Sequence, residues 1–181
     1  ASRLEAAIYG SHSEILQDAI AGAALTPRGV DRLGDLNASV DEKPAFADSC
    51  PVDREPTALI FGCYQGGDLH VLRIDRPDLR GMMVVAFAHE LLHAVYDSLP
   101  SVEQRRVDTM VEQAFDGISD PRFRSLVADY EKVEPGQRDN ELHSLLATEI
   151  GALPPNLERW YARWFTDRSA VVARSEEHTS E

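Results

Sequence analysis

The residues of this chain best suited to chemistry are two histidines and a glutamate in the stretch His89-Glu90-Leu91-Leu92-His93. On an α-helix, residues four positions apart lie on one face, so each imidazole can offer a nitrogen to a single zinc ion. Glu90 would face the adjoining space, where a carboxylate can act as general base toward water activated by zinc. The spacing therefore predicts a Zn²⁺ site with hydrolytic chemistry, in which His89 and His93 bind the metal and Glu90 takes the proton.

A catalytic zinc site needs a third protein ligand, which we expect from a segment later in the chain. Residues 140–149 offer three donors there: Glu141, His143 and Glu149. Glu141 is favoured because it lies in the first turn of a predicted helix that could run antiparallel to the first and present its carboxylate to both imidazoles. The other two donors stay open at this stage.

Two segments resemble the active-site motifs of one enzyme family. Residues 89–97 resemble the active-site helix of the gluzincin metallopeptidases, the thermolysin-like group, and Asn140-Glu141 followed by Ser144 and Thr148 is similar to their glutamate helix. A compact bacterial group that carries the same pair of motifs is a closer likeness. The resemblance implies a zinc peptidase with a zincin-like fold, a peptide or protein substrate, and Glu141 as the third ligand.

The chain also departs from this family. It is much shorter, and Leu145 stands where the family has an acidic residue that orients a zinc-bound histidine. Glu149 and Asp97 are candidates to replace that residue. The chain shows no clear counterpart for the tyrosine and histidine that stabilise the oxyanion, a role for which Tyr161 and His143 are candidates. These departures favour an alternative function, a zinc-binding sensor or interaction module with little or no turnover.

The remaining patterns predict an α+β fold in which a small β-hairpin or sheet packs against a mainly helical domain that carries both motif helices. Proline and glycine interrupt residues 25–56, which predicts a long irregular arm. Residues 1–173 are expected to form a single domain. Residues 174–181 are polar, aperiodic and similar to the translation of a sequencing adapter, so we expect a non-native tail. Strands are predicted at Thr57–Tyr64 and Leu69–Ile74, and helices at 2–9, 12–24, Gly81–Leu99, 102–116, Pro121–Lys132, Gln137–Leu153 and Pro155–Thr166.

Charge and cysteine usage limit the partners and the compartment. The formal net charge is −13 and the basic residues are scattered, which argues against nucleic acid as a partner. No apolar run approaches the roughly 20 residues that a membrane-spanning helix requires. We expect Cys50 and Cys63 to form a disulfide, which indicates an extracytoplasmic protein, secreted or tethered through an upstream segment absent from this sequence. A cytoplasmic location stays open.

Overall fold

The fold combines a helical layer with one small sheet, as seen in a computed structural model that describes residues 14–51 and 61–179. The strands are β1 (Asn37–Asp41), β2 (Gly62–Gln65) and β3 (Asp68–Leu72). The helices are α1 (Glu14–Gly22), α2 (Pro27–Gly34), α3 (Lys43–Ser49), α4 (Gly81–Asp97), α5 (Ser101–Asp116), α6 (Pro121–Val133), α7 (Arg138–Glu149), α8 (Pro155–Tyr161) and α9 (Ser169–Thr179), with a 3₁₀ turn at Pro77–Leu79 before α4. The predicted α+β class is confirmed.

The sheet is mixed and has the strand order β1-β3-β2. β2 and β3 form the predicted antiparallel hairpin, in which Cys63 lies opposite His70. Its turn needs glycine, because Gly66 and Gly67 both have positive φ angles, 60° and 99°. β1 pairs with β3 in parallel, so a single sheet joins residues on either side of α3. The first part of the predicted strand Thr57–Tyr64 lies outside the described residues.

The prediction of an irregular arm at 25–56 is wrong for most of that segment, which contains α2, β1 and α3. Proline misled the prediction because Pro27 and Pro44 lie in the first turns of α2 and α3, where a missing N–H costs little. Thr26 supports the start of α2, since its hydroxyl oxygen accepts a hydrogen bond from the backbone N–H of Gly29 at 3.1 Å.

The motif helices α4 and α7 pack against each other at the centre of the molecule, and α5, α6 and α9 contact α7 around them. Eleven of the 17 residues of α4 are buried and only Asp97 is exposed, in keeping with its apolar sequence. α7 ends at Glu149 and α8 at Tyr161, earlier than the predicted ends at Leu153 and Thr166. Within the described ranges, no helix is long and apolar enough to cross a membrane.

Two further features hold the periphery of the fold together. The predicted disulfide between Cys50 and Cys63 is present and joins the end of α3 to β2, which is consistent with an extracytoplasmic protein. The last helix, α9, continues through Thr179, and its buried Ser175 donates a hydrogen bond to the carboxylate of Glu149. The predicted helix at 2–9 lies outside the described residues.

Candidate metal centre

Helix α4 places its two histidines on the face that meets α7. Because the residues are one helical turn apart, their rings converge, and the two Nε2 atoms lie 3.0 Å from each other. Both side chains are largely buried, at 11% and 13% exposure for His89 and His93. Two imidazole nitrogens at this separation need a proton or a cation between them, since two lone pairs repel.

Helix α7 adds the carboxylate of Glu141 to this pair. Its Oε2 lies 3.4 Å from Nε2 of His89, and its Oε1 lies 3.3 Å from Nε2 of His93. The Oε2 atom is buried and has no hydrogen-bond partner of good geometry among the described residues. A buried carboxylate oxygen without a donor is costly, so this atom is suited to a cation.

The spacing of the three donors fits a small metal ion. One ligand atom from each of His89, His93 and Glu141 can be chosen so that all lie within 4.8 Å of one another, and this group could bind a metal. Ligands at the distances typical of tetrahedral zinc, 2.0–2.1 Å, are about 3.3–3.4 Å apart. The two imidazole nitrogens are 3.0 Å apart, and each lies 3.3–3.4 Å from a different oxygen of Glu141, so each of these contacts is close to that value.

The electrostatics of the centre also favour a positive charge. Burial alone would lower the pKa of His93, but hydrogen bonding to Glu141 and the charges of Glu141 and Glu90 raise it to about 9. Burial raises the pKa of Glu141, yet hydrogen bonds and charge interactions with His89 and His93 outweigh this and hold it well below its usual range. Two buried carboxylates thus favour a cation beside the histidine nitrogens.

A hydrogen bond from Asn140 orients His93. Nδ1 of His93 lies 2.9 Å from Oδ1 of Asn140, and the Nδ2 amide of Asn140 donates to Oδ1 of Asp97 at 3.4 Å. Because an amide oxygen only accepts, Nδ1 carries a hydrogen, so Nε2 is the nitrogen that a metal would bind in exchange for its proton. Asp97, a candidate supporting residue from sequence, therefore contacts the centre through Asn140.

Glu90 lies on the side of α4 that faces the sheet. Its side chain is 7% exposed and packs over the backbone of Gly62 in β2. Burial raises the pKa of Glu90, partly offset by the nearby His89 and His93. A carboxyl group whose pKa is raised accepts a proton more readily than an ordinary glutamate.

The structure separates the alternative third ligands from the centre. Glu149, at the far end of α7, accepts a hydrogen bond from the hydroxyl of Ser175. Nε2 of His143 accepts a hydrogen bond of 2.8 Å from Nε1 of Trp160. The hydroxyl of Tyr161, proposed from sequence as an oxyanion donor, instead donates to the backbone oxygen of His143 at 2.6 Å. Of the candidate ligands, only Glu141 joins the two histidines of α4.

Sequence reasoning missed Tyr130, a mostly buried residue in the last turn of α6. Its ring centroid lies 6.2 Å from that of His89. Burial, together with the charges of Glu141 and Glu90, raises the pKa of Tyr130, so its hydroxyl stays protonated and can donate a hydrogen bond. No sequence motif marks Tyr130. Its one distinguishing feature in the sequence is its position at the end of the helix that precedes the glutamate helix.

Comparison of the chain with protein-family models, with curated proteins and with solved structures finds no match. The chemistry of the centre is therefore inferred from the groups that meet there: two imidazoles, two carboxylates and a phenol in a largely buried space.

Proposed function

We propose that this chain is a zinc-dependent hydrolase that cleaves peptide bonds in a peptide or protein substrate. The observation that carries the proposal is the convergence of His89, His93 and Glu141 within 4.8 Å, with Glu90 buried on the same helix as the histidines. Two neutral imidazoles and a carboxylate are a ligand set that catalytic zinc uses in hydrolases, with a position left for water.

Each residue has a separate task in this proposal. His89, His93 and Glu141 would hold the zinc, which when bound supplies an activated water and polarises the substrate carbonyl. Glu90 accepts a proton from the attacking water and passes it to the amine that leaves. Glu90 lies on α4 against β2 and is 7% exposed, so its carboxylate is largely removed from bulk water.

Tyr130 completes the proposed site as a hydrogen-bond donor. Charge develops on the carbonyl oxygen of the substrate as water adds to it, and a preorganised hydroxyl stabilises that charge. Tyr130 lies beside His89 and remains protonated, whereas the hydroxyl of Tyr161 donates to the backbone oxygen of His143 and the ring of His143 accepts from Trp160. The donor role therefore falls to Tyr130.

A second candidate function is zinc binding without turnover, in a sensor or interaction module. It is favoured by Leu145, which is buried in the apolar core. The resemblance to the gluzincin family implies an acidic residue at this position, which would orient a zinc-bound histidine. Among residues 14–51 and 61–179, no hydrogen bond to Nδ1 of His89 is found, in contrast to the Asn140 contact of His93.

The Glu90→Gln variant tests the proposed function. Wild type loaded with one zinc should cleave members of a mixed peptide library, with products identified by mass spectrometry. Glu90→Gln should retain zinc but lose roughly 10²–10⁴-fold in kcat, because the amide cannot accept the proton. Glu14→Gln, which changes an exposed carboxylate at the start of α1, is the matched control and should stay close to wild type.

Three other results would count against the proposal. Wild-type protein that holds no zinc after reconstitution would remove the metal centre altogether. Zinc-loaded protein that cleaves nothing in the library would favour the sensor or interaction module. Unchanged turnover in Glu90→Gln would show that another group acts as the base.

A further inference from the structure

Glu90 packs directly against Gly62. A Cβ atom built on Gly62 would lie 2.8 Å from Cγ of Glu90, 3.2 Å from its Oε1 and 3.2 Å from the backbone oxygen of His70. Separations below 3.0 Å are not tolerated without movement of the neighbouring atoms. Any residue other than glycine would displace the candidate general base, because the side chain of Glu90 takes the space that a Cβ would fill.

Backbone conformation does not explain this glycine. Gly66 and Gly67 need their positive φ angles to form the hairpin turn, but φ of Gly62 lies outside the left-handed region. Gly62 is also the first residue of β2, a strand position where glycine has no conformational advantage. The close approach of Glu90 is therefore the physical reason for glycine at this position.

A covalent bond holds β2 in place beside Glu90. Cys63, the next residue after Gly62, is bonded to Cys50 at the end of α3. β2 has four residues and, within the described ranges, pairs only with β3. A strand this short has few hydrogen bonds of its own, so the disulfide limits how far it can move from α4.

We propose that Gly62 is a positioning residue for Glu90 and that the Cys50–Cys63 disulfide keeps Gly62 against it. The ligands His89, His93 and Glu141 come from α4 and α7, so a change in β2 acts on the general base and leaves the metal ligands in place. The catalytic consequence rests on the proposed function, whereas the contact itself does not.

A double-mutant cycle on metal-free protein tests the contact without any assay of activity. Gly62→Ala should lower the midpoint of thermal unfolding by on the order of 5 °C in the wild-type background, because the new methyl group overlaps Glu90. In the Glu90→Ala background the two closest atoms are gone, and the loss should be less than half as large. Gly34→Ala is the matched control, since nothing lies within 4 Å of its added Cβ and its φ is not positive. Its effect should not depend on residue 90.

The role of the disulfide is tested in the same cycle. In the Cys50→Ser, Cys63→Ser background β2 can move away from α4, so Gly62→Ala should cost less there than in the disulfide-bonded protein. If Gly62→Ala does not fold, the Gly62→Ala, Glu90→Ala double variant should restore folding. Equal losses in the wild-type and Glu90→Ala backgrounds, or no rescue, would overturn the inference.

The catalytic arm uses zinc-loaded protein. Gly62→Ala should keep one zinc per chain and lose roughly 10–100-fold in kcat through displacement of Glu90, with little change in KM. Wild type without hydrolysis would refute the proposed function and leave the stability cycle valid. Normal hydrolysis combined with no coupling between residues 62 and 90 would refute only the positioning role.

Discussion

Helix α7 contributes residues to two buried centres, a candidate metal centre and an aromatic cluster, which surround their histidines with different chemical groups. Glu141 enters the candidate metal centre with His89 and His93, and two positions further on, His143 enters an aromatic cluster with Trp160 and Tyr161. Glu141 and His143 lie about 200° apart around the helix, so one segment can serve both centres.

The two centres affect histidine ionisation in opposite directions. Glu141 and Glu90 raise the pKa of His93 to about 9 despite its burial. Burial, reinforced by the charges of His93 and His89, lowers the pKa of His143 to about 3, so it stays neutral. Both imidazoles are largely buried, so the opposite pKa shifts come from the carboxylates of Glu141 and Glu90, which lie near His93.

The comparison shows what distinguishes a candidate ligand from a structural histidine. Nε2 of His143 has a donor, the indole N–H of Trp160 at 2.8 Å. Nε2 of His93 instead converges with Nε2 of His89 and a carboxylate oxygen of Glu141, so this position can hold either a proton or a metal ion. A convergence of three such groups is what a metal site requires, whereas burial alone is not.

The largest expected effect separates the proposed ligand Glu141 from Glu149, a second glutamate of the same helix. Glu141→Ala should reduce bound zinc from about one per chain to near zero, since loss of a direct ligand exceeds the roughly 10–100-fold cost of losing a supporting contact. Glu149→Ala, the control, should retain full occupancy because Glu149 bonds Ser175 instead. Elemental mass spectrometry on both variants measures the difference. Zinc lost from Glu149→Ala but not from Glu141→Ala would assign the third ligand to Glu149.

The second-largest expected effect distinguishes the role of Tyr130 from that of Tyr161. Tyr130→Phe should lower kcat by about 10²–10³-fold with zinc content unchanged, because it removes one donor to the developing oxyanion. Tyr161→Phe should instead lower the free energy of unfolding by about 1 kcal/mol and leave kcat unchanged, because its hydroxyl bonds the backbone of His143. Steady-state kinetics and urea unfolding on both variants would detect a reversal of these roles.

Tyr130 also shows where sequence reasoning reaches its limit. The spacing of His89, Glu90 and His93 requires only helix periodicity, and the structure places the two histidines together as that periodicity predicts. From the sequence, Glu141 could be favoured as the third ligand but not assigned. Its helix carries two other donors, His143 and Glu149, and the rotation of that helix about its axis depends on packing. Tyr130 lies on a third helix, α6, and no local sequence pattern predicts that α6 packs beside the histidines of α4.

The same limit applies to the fold. The hairpin and the long helices have strong local signals, such as the two glycines of the turn and the apolar run of α4. β1 has the polar sequence Asn-Ala-Ser-Val-Asp and becomes a strand only because β3 offers a parallel partner. Pairing between distant segments overrides such weak local preferences.

A smaller effect is expected from the residue that orients His93. Asn140→Ala should weaken zinc affinity by about 10–100-fold, because the tautomer and ring orientation of His93 are no longer fixed. Asn156→Ala is the control, since Asn156 is exposed and its side chain accepts a hydrogen bond from the backbone N–H of Leu157, away from the candidate metal centre. Competition with a chromogenic chelator measures both affinities. Equal affinities would mean that Asp97 and Asn140 do not support the centre.

The smallest effect belongs to the aromatic cluster. His143→Phe should lower the free energy of unfolding by about 1–2 kcal/mol, because the buried N–H of Trp160 loses its acceptor, and zinc content should not change. In the Trp160→Phe background the donor is also gone, so the same substitution should cost much less. Urea unfolding of the four proteins gives the coupling. A loss of zinc in His143→Phe would contradict the separation of the two centres, because it would show that the packing of His143 sets the position of Glu141 on the same helix.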